Sequence, residues 1–316
     1  MKVSITAIIV MILWASCYPL IVLSLNYAPA MLTAFFRASI AGVVLVIIAA
    51  FLRKRILFNA QQWINVIAIG LTATSIGFWG MFYAGNLISP GLATVLTNTQ
   101  PLIAGVLGYL FLKERPEKMV ILAMALGFIG IFIISSESVW GDNKQFLLGF
   151  VSILTAAIGI AISNILLKRV ASNIDIFYAM GFQLLVGAVP LGLYNYYEAN
   201  SNAFLWSQLL SSNTYLVMVF LLAIPGTALP FLLWFWLLEK APLYQLNIYS
   251  FLTPVFGLYL GWFYFDELLS IWQWIGIIIV ASSVCWVAIA ATGKKNIPSI
   301  SITSIDMPET LNDGKR

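Results

Sequence analysis

Arg37 is the one strongly ionised side chain that stands well inside a long apolar stretch of this 316-residue chain. A charge carried to the centre of a membrane helix costs about 2.5 to 3.5 kcal/mol on insertion scales, so such a residue is expected to have a task. Two tasks fit Arg37: holding a substrate carboxylate, or snorkelling outward to bond helix carbonyls. Two polar stripes offer neutral chemistry. Thr94, Thr97, Asn98 and Pro101 recur at spacings of three and four, one face of a helix, and Asn247, Ser250, Phe251 and Pro254 repeat the pattern. The stripes read either as the lining of a shared cavity or as hydrogen-bonded glue between helices. Asn164, an amide inside another apolar run, faces the same choice. Aromatics are 14% of the chain, and most belong to core, lipid contacts or interfacial belts. Trp14, Tyr18, Tyr83, Trp234 and Trp236 stand out because their runs are expected to surround a cavity.

What is lacking narrows the chemistry. Histidine is absent, which removes the usual neutral-pH proton carrier and the commonest metal ligand. Cys17 and Cys285 stand alone in apolar runs without CxxC spacing and read as lipid or packing residues. Without a Ser/His/Asp set, a metal cluster or a pair of deep carboxylates, no catalytic centre, metal site or cofactor is expected. The carboxylates singled out near the membrane, Glu114, Asp175, Asp266 and Glu267, fall at the ends of runs, where anchoring and capping are their ordinary roles. A net charge of +4 without interleaved basic clusters excludes nucleic acid as a partner.

The elements that must position these residues follow from composition. The chain is 61% hydrophobic and 9% charged, against about 25% charged in a soluble domain, and its mean hydropathy is +0.97. Most of its apolar surface must therefore face lipid. A membrane helix needs about 20 apolar residues, and runs of that order recur at 3–25, 30–52, 63–84, 88–112, 119–135, 146–168, 174–197, 215–237, 243–265 and 271–293. They are continuously apolar, whereas barrel strands alternate. The expected fold is an all-α membrane protein of ten transmembrane helices. The first run is too long for a signal-peptide core. Residues 294–316 turn polar and read as a disordered cytoplasmic tail.

Ten spans put both termini on one side. With that side cytoplasmic, 14 of the 16 basic residues fall in cytoplasmic segments, only Lys144 falls outside and Arg37 lies within a span. This bias predicts that both termini are cytoplasmic, and the cell (inner) membrane is the expected location.

The chain also matches itself at an offset of 153, pairing Phe82 with Phe235, Thr97 with Ser250, Pro101 with Pro254, Leu107 with Leu260, Gly108 with Gly261 and Glu114 with Glu267. Residues 1–140 and 146–293 then form two five-helix repeats. Five is odd, so the copies are inverted, the arrangement through which transporters exchange an inward for an outward opening. Pro101 and Pro254 sit mid-span at matched positions and are expected to kink their helices or line a cavity, although prolines are also simply tolerated in membrane helices. The pairs Ala104/Gly108 and Gly257/Gly261 that follow them read as packing.

These residues resemble the EamA-type members of the drug/metabolite transporter superfamily over residues 5 to 292. The resemblance is carried by Trp14 followed by Tyr18, by Phe35-Phe36-Arg37, by Tyr83-Ala84, by Pro101 through Glu114, and by Gly127-Phe128-Ile129-Gly130. In the second half Trp236, Pro254 and Glu267 repeat the signature. Ala15 stands where a glycine commonly follows the tryptophan, and Phe265-Asp266 where a small residue is common. The resemblance implies a basket-like transporter of small metabolites, often an exporter of amino acids or related compounds, with a central cavity between the halves.

The expected function is therefore alternating-access transport of small amphipathic metabolites, by a monomer or homodimer whose partners are a small-molecule substrate and the bilayer. Other carriers stay open, for a nucleotide sugar or a drug-like cation, although a small multidrug-type exporter wants an early deep carboxylate that spans 1 to 3 lack. An intramembrane enzyme lacks its residues. Without a deep proton carrier, transport down the substrate's own gradient is expected, or at most weak coupling through the carboxylates at the span ends. The topology predicts that, in a cysteine-free background, an impermeant thiol reagent labels cysteines placed near Asn143 and Asn200 from outside and not those near Asn59 or Asn296. The reverse pattern would overturn the orientation and the repeat with it.

Overall fold

In a membrane the backbone has no water to bond, so apolar runs close their hydrogen bonds within helices. The computed structural model describes residues 2–54, 59–113, 118–139, 144–170, 174–198, 212–266 and 268–293, and every regular element among them is helical. Glu114, Glu267, Asn143, Asn200 and the tail 294–316 lie outside the described residues. The chain order is α1 (Lys2–Ala15), α2 (Cys17–Ser24), α3 (Ala30–Phe51), α4 (Ala60–Ile69), a first π-helical segment (Gly70–Ile76), α5 (Gly77–Gly85), α6 (Pro90–Thr97), α7 (Gln100–Leu112), α8 (Lys118–Val139), α9 (Lys144–Val170) and α10 (Ile176–Glu198). It continues with α11 (Asn213–Ala223), a second π-helical segment (Ile224–Ala228), α12 (Leu229–Lys240), α13 (Leu243–Tyr249), α14 (Leu252–Phe265) and α15 (Ile271–Gly293).

Seven of the resulting helical stretches are long and apolar enough to cross a membrane, and three shorter apolar helices, Ile103–Leu112, Ile121–Ile134 and Ile271–Ser283, occupy the remaining expected ranges. The chain is a multi-pass membrane protein. Large apolar side chains such as Phe51, Phe132, Leu147, Phe220 and Phe263 stand on the outside of the bundle. Caps set the ends. Asn59 and Gln62 form a reciprocal capping box, each side chain bonded at 2.8 Å to the other's backbone N–H, which starts α4 three residues before the expected 63. Asp175 accepts from the N–H groups of Phe177 and Tyr178 at the start of α10. Lys113 and Asp266, 153 residues apart, both adopt left-handed backbone (φ 56° and 50°) and end α7 and α14.

Several expected spans are broken where continuous helix was anticipated. Proline lacks an N–H and leaves the carbonyl four residues earlier without its helical partner. Pro101 and Pro254 accordingly stand in the first turns of α7 and α14, and the interruptions fall just before them, at Asn98-Thr99 and Ser250-Phe251. The expected kinks are thus helix breaks one turn upstream of each proline. Pro19 stands in the same relation to the break at Ser16. The two π segments lie at matching places in the halves, residues 70–76 and 224–228, close to the offset of 153.

Two helix pairs make the most extensive contacts, α3 with α10 and α8 with α15. Gly42 faces Leu185 and Gly181, Gly181 faces Val46, and Gly192 faces Phe35, so residue numbers fall on α10 as they rise on α3 and the helices run antiparallel. Gly130 meets Val280 and Gly276 meets Ile134, the same relation between α8 and α15. A methyl group on Gly276 would lie 2.6 Å from the Gly130 carbonyl oxygen and 2.4 Å from Ile134 Cγ1. Gly105 differs, because a methyl there meets only the mobile end of Met124. Gly276→Ala is expected to destabilise the protein by about 1 to 3 kcal/mol, the usual cost of overpacking, and Gly105→Ala by less. Thermal melting in detergent checks the order, and equal melting temperatures would show that the α8–α15 crossing tolerates separation.

Candidate functional site

Arg37 is the eighth residue of α3 and is 1% exposed, so it does not snorkel to the membrane surface. Its Nε donates to Thr227 Oγ1 at 2.7 Å, and its Nη2 donates to the Gly226 carbonyl at 3.2 Å and to Cys17 Sγ at 3.3 Å. The guanidinium carbon lies 4.3 Å from the centroid of the Phe78 ring and 5.9 Å from that of Phe82, a cation–π contact that desolvation strengthens. Nη1 has no partner.

The second π segment makes this grip possible. Pro230 stands four residues after Gly226 and cannot bond its carbonyl, which is left for Arg37 and for the Cys17 thiol at 3.4 Å. Thr227 turns its hydroxyl proton to the Leu222 carbonyl at 2.7 Å and keeps a lone pair for Nε. Glycine at 226 allows the close approach, since a methyl there would lie 2.9 Å from Cys17 Sγ and 3.1 Å from the Leu221 carbonyl oxygen. Cys17, read from sequence as lipid or packing contact, is a partner of the buried cation. The opposite half holds a counterpart. Gln183 is the eighth residue of α10 and accepts at 2.9 Å from Thr74 in the first π segment, and Thr74 is Thr227 less the offset of 153.

These groups meet at a cavity of about 110 Å³. Of the residues expected in a site, Trp14, Tyr18, Arg37, Asn98, Asn164, Trp234 and Ser250 line it, together with Thr97. Tyr18 and Thr97 share a 2.5 Å hydrogen bond, and Trp234 Nε1 donates to Asn164 Oδ1 at 3.0 Å. Trp14 lies 5.2 Å from Trp234 and 6.3 Å from Phe231 between ring centroids, and Phe231 is 6.4 Å from Phe78, which makes one wall aromatic. Asn98 Nδ2 donates to the Thr94 carbonyl at 2.9 Å, leaving Oδ1 unpartnered, and Gln100 Nε2 is unpartnered as well. Three buried polar atoms on residues that line the cavity thus have no protein partner, a cost of about 1 to 3 kcal/mol apiece that a ligand or water reaching them would relieve.

The structure places the other expected residues elsewhere. Thr94 is fully buried against Gly257 where α6 packs on α14, and Asn247 is fully buried in α13, which packs on α7. Both amide atoms of Asn247 are unpartnered, but it does not line the cavity. Each stripe is therefore split, its first residue at a helix crossing and its second, Thr97 or Ser250, in the lining. Tyr83 lines a separate pocket of about 390 Å³ with Asn26, Tyr27, Asn86 and Tyr194. Trp236 packs half-buried on the core. Pro101 and Pro254 are buried and do not face the cavity. Sequence reasoning missed Phe78, Gln100, Gln183, Thr227 and Phe231. Equating helix starts, Ala30 with Ile176, aligns Arg37 with Gln183, a signal that an ungapped offset of 153 hides.

Several basic residues are bound at helix ends. Lys54 pairs with Asp175 at 3.6 Å, Lys168 Nζ donates to the Leu238 and Ala241 carbonyls, and Arg169 donates to the Phe111 carbonyl. Glu239, at the same end of α12, is another exposed carboxylate at a helix end, beyond those singled out from sequence.

An all-helical membrane bundle with interrupted helices around a buried, partly polar cavity defines a class, that of multi-pass membrane transporters. Residues 1–136 and 147–289 match the EamA-like transporter family, and the chain belongs to that family. It is 25% identical over 285 residues to the uncharacterized transporter YvbV of Bacillus subtilis (strain 168), covering 90% of each chain. It is 23% identical over 283 residues to a probable amino-acid metabolite efflux pump of Escherichia coli (strain K12), covering 88% of this chain and 92% of that one. A solved crystal structure superposes with a TM-score of 0.74 at 16% identity, over 92% of this chain and 98% of the other, a likeness of fold.

Removing the Thr227 hydroxyl would leave Arg37 Nε buried without a partner. Thr227→Val is expected to destabilise the protein by about 1 to 3 kcal/mol, whereas Thr227→Ser keeps the bond and most of the stability. Thermal melting of both variants in detergent tests this, and a Val variant as stable as the Ser variant would show that the bond carries no weight.

Proposed function

We propose that this protein is an alternating-access carrier that exports small amphipathic metabolites, amino acids or related compounds, across the cell (inner) membrane, and that it is not an enzyme. The observation that carries the reading is the cavity itself, which joins an aromatic wall to unsatisfied polar atoms and draws its lining from both halves of the chain. In this reading all ten apolar stretches cross the bilayer, residues 1–140 and 146–293 are inverted five-helix copies, and both termini are cytoplasmic. The matched breaks, the matched π segments and the antiparallel crossings support the repeat. The bias of the basic residues supports the orientation. Export is favoured by the name of the Escherichia coli relative. A drug-like cation fits poorly, because it would meet the guanidinium of Arg37 without a carboxylate beside it among the described residues.

Alternating access needs elements that rearrange without exposing backbone to lipid. Breaks and π segments buried in the bundle are such places, since their freed groups are taken up by side chains. Arg37 and Gln183 each hold a π segment of the opposite half, and exchanging these contacts is the movement the carrier would use.

Reconstituted vesicles test the proposal. Labelled apolar amino acids should show saturable uptake that accelerates when unlabelled substrate is trapped inside, the mark of a carrier. A pH step at fixed substrate gradient should not drive uphill accumulation, because no Asp, Glu or His lines the cavity among the described residues. Unsaturable flux would point to a channel, and strong pH-driven accumulation would overturn the uncoupled mechanism.

A further inference from the structure

We propose that the cavity selects substrates by a carboxylate bound at Nη1 of Arg37, and that its class of substrate is a zwitterion with an apolar side chain. This rests on the carrier reading and adds the substrate class to it.

A guanidinium presents five N–H donors in a rigid planar fork. Protein atoms hold Arg37 along the Nε and Nη2 edge, through Thr227, Gly226 and Cys17, and Phe78 covers a face at 4.3 Å. The group is locked in place while Nη1, buried and without a partner, is left at a cavity that Arg37 lines. Thr227, Gly226 and Cys17 bring no negative charge, and Lys54–Asp175 is the ion pair among the described residues. Among the described residues no carboxylate neutralises the cation, and an entering anion would. In a site of low polarity that favours an anionic group over a neutral one of the same shape, and the charge-assisted bond formed is stronger than a neutral one.

The remaining unsatisfied atoms name the rest of the ligand. Gln100 Nε2 is a second idle donor, and Asn98 Oδ1 is an idle acceptor held in place by the bond that one N–H of Nδ2 makes to the Thr94 carbonyl. Donors for a carboxylate and an acceptor for an ammonium are the complement of a zwitterion. Trp14, Phe231 and Trp234 supply apolar surface for its side chain. An amide or ester of the same amino acid keeps the ammonium, loses the carboxylate and becomes a cation beside Arg37.

The test sets L-leucine, leucinamide and 4-methylpentanoate against one another on the wild-type protein. Leucine is expected to compete for labelled leucine uptake in vesicles at least tenfold better than leucinamide, the least effect of losing a charge-assisted bond. 4-Methylpentanoate should fall between them, because it lacks the group for Asn98. In detergent, leucine and not leucinamide should raise the melting temperature. Equal competition by leucinamide would overturn the carboxylate site and leave the carrier standing. Absence of saturable flux would overturn the carrier, while the melting shifts would still decide the site. Chloride that displaces leucine at equal concentration would reduce the site to a general anion site and overturn the assignment. Arg37→Lys should lower the preference for leucine over leucinamide at least tenfold, and an unchanged preference in folded variant protein would also overturn it.

Discussion

A guanidinium buried in the bundle, with no carboxylate beside it among the described residues, is the constraint to which the interior of this protein answers. Moving such a charge into a membrane helix costs about 2.5 to 3.5 kcal/mol on insertion scales, and the cost falls only if its N–H groups find acceptors inside the protein. Continuous helices offer few, because every interior carbonyl is already bonded. The acceptors around Arg37 come from a place where the regular ladder fails: the Gly226 carbonyl released ahead of Pro230 and the Thr227 hydroxyl within the same π segment. Burying the cation and breaking the helix are thus one arrangement at this site.

The same arrangement ties the halves of the chain together. Arg37 reaches across 190 residues to Thr227, and Thr74 reaches across 109 to Gln183. Glycines allow the backbones to come close enough for such reach, as at Gly226 beside Cys17 and at the crossing of α8 with α15. Packing of small residues, and not apolar burial, draws membrane helices together, since lipid solvates an apolar side chain as well as a neighbouring helix does. The polar atoms at the centre are left partly unsatisfied, with Nη1 of Arg37, Oδ1 of Asn98 and Nε2 of Gln100 all in the lining of one cavity. A protein selected for stability alone would pair them. In the carrier proposed above they are free for cargo.

Much of the architecture was legible in the residues because span length is a local property. About 20 apolar residues cross a membrane wherever they occur, so the ten ranges read from the sequence coincide with the helices to within a few residues at most ends. The cost of Arg37 was legible for the same reason, as was membership of a transporter family, since the matched prolines and glycines report local backbone needs. What the sequence did not decide was the rotation of each helix about its axis. Soluble helices declare their inner face by a polar outer one, but here both the lipid side and the core side are apolar. The stripe from Thr94 to Pro101 therefore marked a face without telling which of its members would reach open space. Tertiary packing turned Thr97 and Asn98 to the cavity and Thr94 into the crossing at Gly257. It also chose the partners of Arg37, because Thr227, Gly226 and Cys17 become acceptors only where a broken helix and a close glycine contact bring distant segments together.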